Sequence, residues 1–256
     1  MNIFFITIFV AIGLLVGLLA LLETGRRLSQ RRLLKEGEGS SAGLGALNGA
    51  VFGLMGLLVA FTFSSAASKF DARRVLITEE ANMIGTAWLR LDLLPVEAQT
   101  GLREYFRTYL DARLAAYAAL PDIAAAKAHL DRSTKLQNQI WTTAVAATKG
   151  DQRATMLLLP ALNQMIDITS TRLTAAQTHP PPIIYVLLIV VTLACALLAG
   201  YGMSGQGPRN WLHMLAFAVI LALSIYVILD LEYPRMGLIR IDAADEILVQ
   251  LRQSMN

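Results

Sequence analysis

Cysteine and histidine are both scarce in this chain of 256 residues. The single cysteine, Cys195, lies inside an apolar run, so no disulfide can form within one chain. None of the three histidines follows an acidic residue by three positions, which is the spacing of helical metal sites. Neither a disulfide framework nor a histidine-based metal centre is therefore expected.

The patterns of an enzyme or of a nucleic-acid-binding protein are also missing. The sequence has no Ser/His/Asp or Cys/His spacing typical of nucleophilic catalysis, and it has no glycine-rich phosphate loop. Its 22 basic and 19 acidic residues give a net charge of +3 without a clustered basic surface. We expect no enzymatic activity, no cofactor, no metal ion and no nucleic-acid partner.

Charge of either sign is absent from four apolar runs, at residues 3–22, 44–64, 183–199 and 211–229. Each run is close to the ~20 residues that a helix needs to cross a bilayer. The first run has no basic segment before it and no small-residue cleavage site after it, so we predict a membrane span rather than a signal peptide. The sequence thus predicts an all-α membrane protein with four transmembrane helices.

The four spans divide the chain into segments. We predict a hairpin of two spans over 1–64 with a basic loop at 23–43, a second hairpin over 183–230, and an amphipathic tail over 231–256. The polar segment 65–182 has apolar residues at steps of three and four without strand-like alternation. It is therefore predicted to form an antiparallel four-helix bundle outside the membrane.

Two stripes of residues mark the second span. Small residues recur along one side, a pattern that lets membrane helices approach closely. They are Gly45, Gly49, Gly53, Gly56 and Ala60. The adjacent side carries Asn48, Phe52, Met55, Val59 and Phe63. Either both stripes pack against protein or lipid, or the second lines a pore with a hydrophobic constriction.

Charged and amide side chains cluster in sequence near the ends of the second, third and fourth spans. They are Asp71, Arg73, Arg74, Glu79, Glu80, Asn163, Asp167, Asp230, Glu232 and Arg235. Ion pairs between helices are one interpretation of this set. A charged vestibule that concentrates ions near a pore mouth is the other.

Several motifs resemble the bestrophin-like family of bacterial membrane proteins over nearly the whole chain from Gly45 onward. They are GLLVAFTFS at 56–64, FDARR at 70–74, EEAN at 79–82, IGTAWLR at 84–90, PALNQMID at 160–167, PP at 181–182 and DLEYPR at 230–235. The layout is also similar to that of bestrophin channels, which are pentamers with a helical cytosolic domain between spans two and three.

The resemblance implies a homo-oligomer in the bacterial inner membrane that passes small inorganic ions, with the second span lining the pathway. The alternative is a non-conducting membrane scaffold or sensor whose bundle binds a ligand or partner. The side of the bundle stays open at this stage. Basic residues in the 23–43 loop favour an outward bundle by the positive-inside rule, whereas the bestrophin layout implies a cytoplasmic one.

Overall fold

The computed structural model describes residues 3–36, 44–203 and 210–255, and these residues form helices without any strand. Eight α-helices follow one another within these ranges. They are α1 (Ile3–Glu36), α2 (Leu44–Leu89), α3 (Val96–Ala118), α4 (Ile123–Ala147), α5 (Gln152–Gln177), α6 (Pro182–Gly202), α7 (Trp211–Glu232) and α8 (Glu246–Ser254). Short 3₁₀ turns at Arg90–Leu93 and Asp242–Asp245 precede α3 and α8. The predicted all-helical fold class is confirmed.

Within the part of the chain that the structure describes, four helical stretches are long and apolar enough to cross a membrane. They are Phe5–Arg32, Gly45–Leu93, Gln152–Gly202 and Trp211–Glu232. By internal contacts the chain divides into two compact units, of which the first comprises Met1–Ser68 and His179–Tyr233. The second comprises Lys69–Thr178 and Pro234–Asn256.

In the first unit, α1 packs against α6 and α7. A buried stripe of Leu14, Leu18 and Leu22 lies on one side of α1 and continues to Gly25 and Ser29. The steps of three and four place all five on one helix face. Because lipid tails are as apolar as leucine, this face is held by close packing rather than by exclusion from water.

Within the segment predicted as a basic loop at 23–43, residues 23–36 are helical, because α1 continues through them. Glu23 accepts hydrogen bonds from Arg26 Nε at 2.9 Å and from Arg27 Nε at 2.6 Å, at helical spacings of three and four. Such pairs stabilise a helix where the apolar run ends. The rest of the predicted loop, residues 37–43, lies outside the described residues.

The second unit contains the polar helices. Its core includes Ile84 of α2, Phe106 and Tyr109 of α3, Ile140 of α4 and Leu162 of α5, all fully buried. An aspartate is the N-cap residue of both α4 and α5. Asp122 Oδ1 accepts from the backbone N–H groups of Ala124 and Ala125, and Asp151 Oδ1 accepts from those of Arg153 and Ala154. Such caps satisfy backbone donors that a helix start leaves unpaired.

The end of the chain also belongs to the core of the second unit. Ile241, Leu248 and Met255 are buried in the same cluster as the residues of α3. Arg107 Nε donates to the Met255 carbonyl at 2.7 Å, and Arg252 pairs with Asp111 at 2.8 Å. From residue 234 onward, the predicted amphipathic tail thus belongs to the second unit and contributes to its core.

Candidate functional site

The membrane part of α2 is covered little by its own chain. Between Gly45 and Ser65, all of which the structure describes, Met55 is the single buried residue, at 9% exposure. Met55 is thus the one pore candidate that the chain itself covers. Asn48, Phe52 and Val59 are half-buried, and Phe63 is 46% exposed.

The small-residue stripe of α2 faces open space within its unit. A Cβ atom added at each glycine of this stripe, Gly45 to Gly56, meets nothing within 4 Å. Ala60 is exposed as well. The expectation of close helix packing at these positions is therefore not met by contacts within the described chain.

Close helix packing occurs instead between α1 and α6. A Cβ atom at Gly25 would lie 2.1 Å from the Leu197 carbonyl oxygen, and one at Gly200 would lie 1.9 Å from the Leu22 carbonyl oxygen. Both contacts are to backbone atoms, so a side chain cannot be accommodated without moving the helices apart. The sequence analysis did not single out either glycine.

The most enclosed charged group of the second unit is the carboxylate of Glu80 on α2. Glu80 is 0% exposed, and it accepts a hydrogen bond from Arg113 Nε of α3 at 2.7 Å. It also accepts from Arg172 Nη1 of α5. The side chains of both arginines are almost completely buried. Glu80 therefore joins three helices of the bundle by charge-assisted hydrogen bonds in a dry environment.

Tyr117 of α3 lies beside the same arginines. Arg172 and Arg235 place their guanidinium carbons 4.4 and 4.5 Å from the centre of its ring, and Arg113 lies at 5.1 Å. These distances are within the range of cation–π attraction. Arg113 Nη2 also donates to the Tyr117 hydroxyl. Burial of the phenol raises the pKa of Tyr117 to about 12, an effect that the nearby charge of Arg113 opposes.

Arg235 connects the C-terminal segment to this group. Its two Nη atoms donate to Asp245, at 2.6 and 2.9 Å, and Nη1 also lies 3.3 Å from Asp242. Arg172 Nη2 lies 4.0 Å from the same Asp245 carboxylate. We call Glu80, Arg113, Tyr117, Arg172, Arg235 and Asp245 the buried charge network.

The ten predicted charged and amide residues are divided between the units. Eight lie in the second unit, where Glu80 and Arg235 join the buried charge network. Arg73 is buried, and its Nε donates to the Ala175 carbonyl at 3.0 Å. The others of this unit are exposed. They are Asp71, Arg74, Glu79, Asn163 and Asp167, with Asp71 and Arg74 paired at 3.6 Å.

The remaining two candidates, Asp230 and Glu232, are buried in the first unit. His179 Nδ1 lies 3.3 Å from Glu232 Oε2, and the His179 ring is tilted against Tyr233 at 4.6 Å. Tyr226 donates its hydroxyl proton to Asp230 at 3.4 Å. Among the described residues, no three His, Cys, Asp or Glu side chains come together in a way that could hold a metal ion.

Arg113 and Asp245 are two members of the network that the sequence analysis did not name. The signal for Arg113 is its position on the core face of α3, four residues after Tyr109. Glu80 has the same signal, three residues after the buried Ile77. A charged residue in a core position must have a partner, because an unpaired buried charge is costly.

Comparison with known proteins supplies the family. A family model described as Bestrophin-like domain matches residues 12–245. A variant of a bacterial bestrophin homolog from Klebsiella pneumoniae matches with a TM-score of 0.69 at 14% identity, over 95% of this chain and 98% of that one. A second variant of that homolog has a TM-score of 0.69 at 12% identity, over 96% and 97%. No curated protein matches the sequence. At these identities the structural likeness shows the fold.

Proposed function

The chain belongs to the bestrophin-like family, and from this membership we propose that it forms a homo-oligomeric, channel-like pore for small inorganic ions. The pathway is lined by α2. If the assembly follows the bestrophin channels, it is a pentamer in the bacterial inner membrane with its helical bundle on the cytoplasmic side. No catalytic step is part of this proposal.

The observation that carries the proposal is the exposure of the membrane part of α2. Apart from Met55, every residue between Gly45 and Ser65 is exposed or half-buried. A membrane helix covered on one side only has its other faces available to lipid, to water or to further copies. The stripe of small residues suits a neighbouring copy, because it allows a close approach between backbones.

Phe63 is the sharpest candidate for a hydrophobic constriction. It is exposed and lies toward the last turn of the apolar part of α2. Phe61 is even more exposed, at 65%, but at 100° per residue the two rings point about 160° apart around the helix. These two phenylalanines therefore make a matched pair of the same residue type, helix and exposure.

The test is ion flux in liposomes that contain the purified full-length protein. We expect ion flux from the unmodified protein. Phe63→Ala should give a higher flux, because it removes the side chains that form the hydrophobic constriction. Phe61→Ala should leave the flux unchanged. A monomeric protein that gives no flux of K⁺ or Cl⁻ would refute the proposal and favour the alternative function, a non-conducting scaffold or sensor. Equal effects of the two variants would refute the assignment of Phe63.

A further inference from the structure

The continuation of α1 beyond its apolar run creates a basic helix face of its own. With 34 residues, α1 is about 51 Å long at 1.5 Å per residue, whereas the hydrocarbon core of a bilayer is ~30 Å thick. Residues 23–36 therefore extend past the hydrocarbon. They contain five basic residues, Arg26, Arg27, Arg31, Arg32 and Lys35, against Glu23 and Glu36.

The buried and exposed sides of this extension are clearly separated. Gly25 and Ser29 are buried on the side that packs within the first unit. Arg27 and Arg31, four residues apart, lie on the opposite side and are exposed, with the Arg27 side chain at 65%. Leu28, which is 54% exposed, lies next to them on the same surface. The outer face thus combines guanidinium groups with an apolar side chain.

Aromatic residues fix the level of this face relative to the bilayer. Tyr201 lies at the end of α6, and its hydroxyl accepts a hydrogen bond from Arg32 Nη1 at 2.9 Å. Trp211 begins α7 and is also exposed. Tyrosine and tryptophan at the ends of spans mark the headgroup region of a membrane. The Arg32–Tyr201 bond therefore places the arginines of α1 at headgroup level.

We propose that the α1 surface formed by Arg27, Leu28 and Arg31 binds the phosphate headgroup of an anionic phospholipid. Guanidinium groups fit phosphate oxygens with two parallel hydrogen bonds. Glu23, which pairs with Arg27, is the single acidic residue of 23–35 against five basic residues, so phosphate supplies further negative charge to this face. Leu28 contacts the start of an acyl chain. Ion conduction is not needed for this interaction, so the inference stands independently of the proposed function.

The test is native mass spectrometry of the full-length protein in non-ionic detergent, titrated with phosphatidylglycerol, phosphatidylcholine or inorganic phosphate. We expect tighter binding of phosphatidylglycerol than of phosphatidylcholine. Arg27→Gln/Arg31→Gln should weaken phosphatidylglycerol binding roughly 25-fold, from about fivefold per arginine near an anionic surface. This variant keeps the Arg32–Tyr201 hydrogen bond intact.

Two further variants separate the possible explanations. Arg27→Lys/Arg31→Lys keeps the charge, and its affinity for phosphatidylglycerol should lie within about threefold of that of the unmodified protein. Lys127→Gln/Arg132→Gln removes two exposed charges from α4, and its affinity for phosphatidylglycerol should equal that of the unmodified protein. Equal phosphatidylglycerol binding by the Arg27/Arg31 glutamine variant would overturn the proposal. Displacement of the lipid by millimolar phosphate, or an altered subunit number with unaltered lipid binding, would also overturn it, in favour of a free anion or a second copy.

Discussion

Replacement of Glu80 by glutamine tests the buried charge network most directly. Glutamine preserves the shape of the side chain but removes the charge that two almost fully buried arginines share. Arg113, whose Nε lies 2.7 Å from Glu80, and Arg172 would then lose their common carboxylate. Breaking a buried ion pair by removing one partner costs about 3–5 kcal/mol, because the remaining charge is left without compensation.

That free energy predicts a large change in thermal stability. For a protein of this size, 1 kcal/mol corresponds to roughly 2–4 °C in the unfolding midpoint, so Glu80→Gln should lower the midpoint by about 6–20 °C. The measurement is circular dichroism of the full-length protein in detergent during heating. Glu79→Gln is the matched control, because it makes the same chemical change one residue earlier at an exposed position. Its midpoint should move by about 2 °C or less.

A triple substitution checks the cause of the loss. Replacing Glu80, Arg113 and Arg172 together by methionine removes the charges and leaves flexible apolar side chains of similar length. Because apolar replacement of a whole buried ion network is often neutral or stabilising, most of the lost stability should return. An unfolding midpoint of Glu80→Gln that matches that of Glu79→Gln would contradict the reasoning. So would a triple variant less stable than Glu80→Gln.

Three further predictions concern other parts of the molecule. Gly25→Ala and Gly200→Ala should each cost about 1–3 kcal/mol, because their Cβ atoms meet backbone oxygens. Gly13→Ala, on the same helix as Gly25, has open space around its Cβ atom and should leave the melting midpoint unchanged. Because the neutral phenol is favoured in the folded state, Tyr117 stabilises fully below pH 10 and loses this contribution as the pH rises toward 12. Melting midpoints between pH 9 and 11 should therefore fall less in Tyr117→Phe than in the unmodified protein; parallel profiles would contradict this. In intact cells, a membrane-impermeant thiol reagent should label Arg31→Cys and not Lys127→Cys in a Cys195→Ala background; the reverse pattern would place the bundle outside.

The membrane spans and the helical bundle follow from the sequence because their signals are local. Uncharged runs of span length identify the membrane helices, and apolar steps of three and four identify the core faces of α3 and α5. Asp122 directly precedes the first turn of α4, and aspartate at such a position is itself a local signal for a helix cap. The bestrophin-like motifs were equally local, and the family they indicated is confirmed over residues 12–245.

What the sequence did not predict depends on partners far apart in the chain. The length of α1 is the exception, because the partners of Glu23 lie only three and four residues away. Charged residues after an apolar run indicate a loop, although the pairs of Glu23 with Arg26 and Arg27 also stabilise a continuing helix. The partners of Glu80 lie 33 and 92 residues away, and no local pattern specifies which arginines reach it. The C-terminal segment is amphipathic in sequence, but only the structure shows that Leu248 completes the core of the bundle.

Glycine illustrates why a helix-packing pattern does not identify its partner. The sequence pattern was strongest on α2, where four glycines have nothing within 4 Å of an added Cβ atom. Among the described glycines, the closest backbone approaches occur at Gly25 and Gly200, which the sequence analysis did not single out. A pair of helices within one chain needs only one small residue at the crossing point on each helix. A stripe that extends over four turns suits a long parallel contact, and the symmetric neighbour in a homo-oligomer is the partner that could supply it.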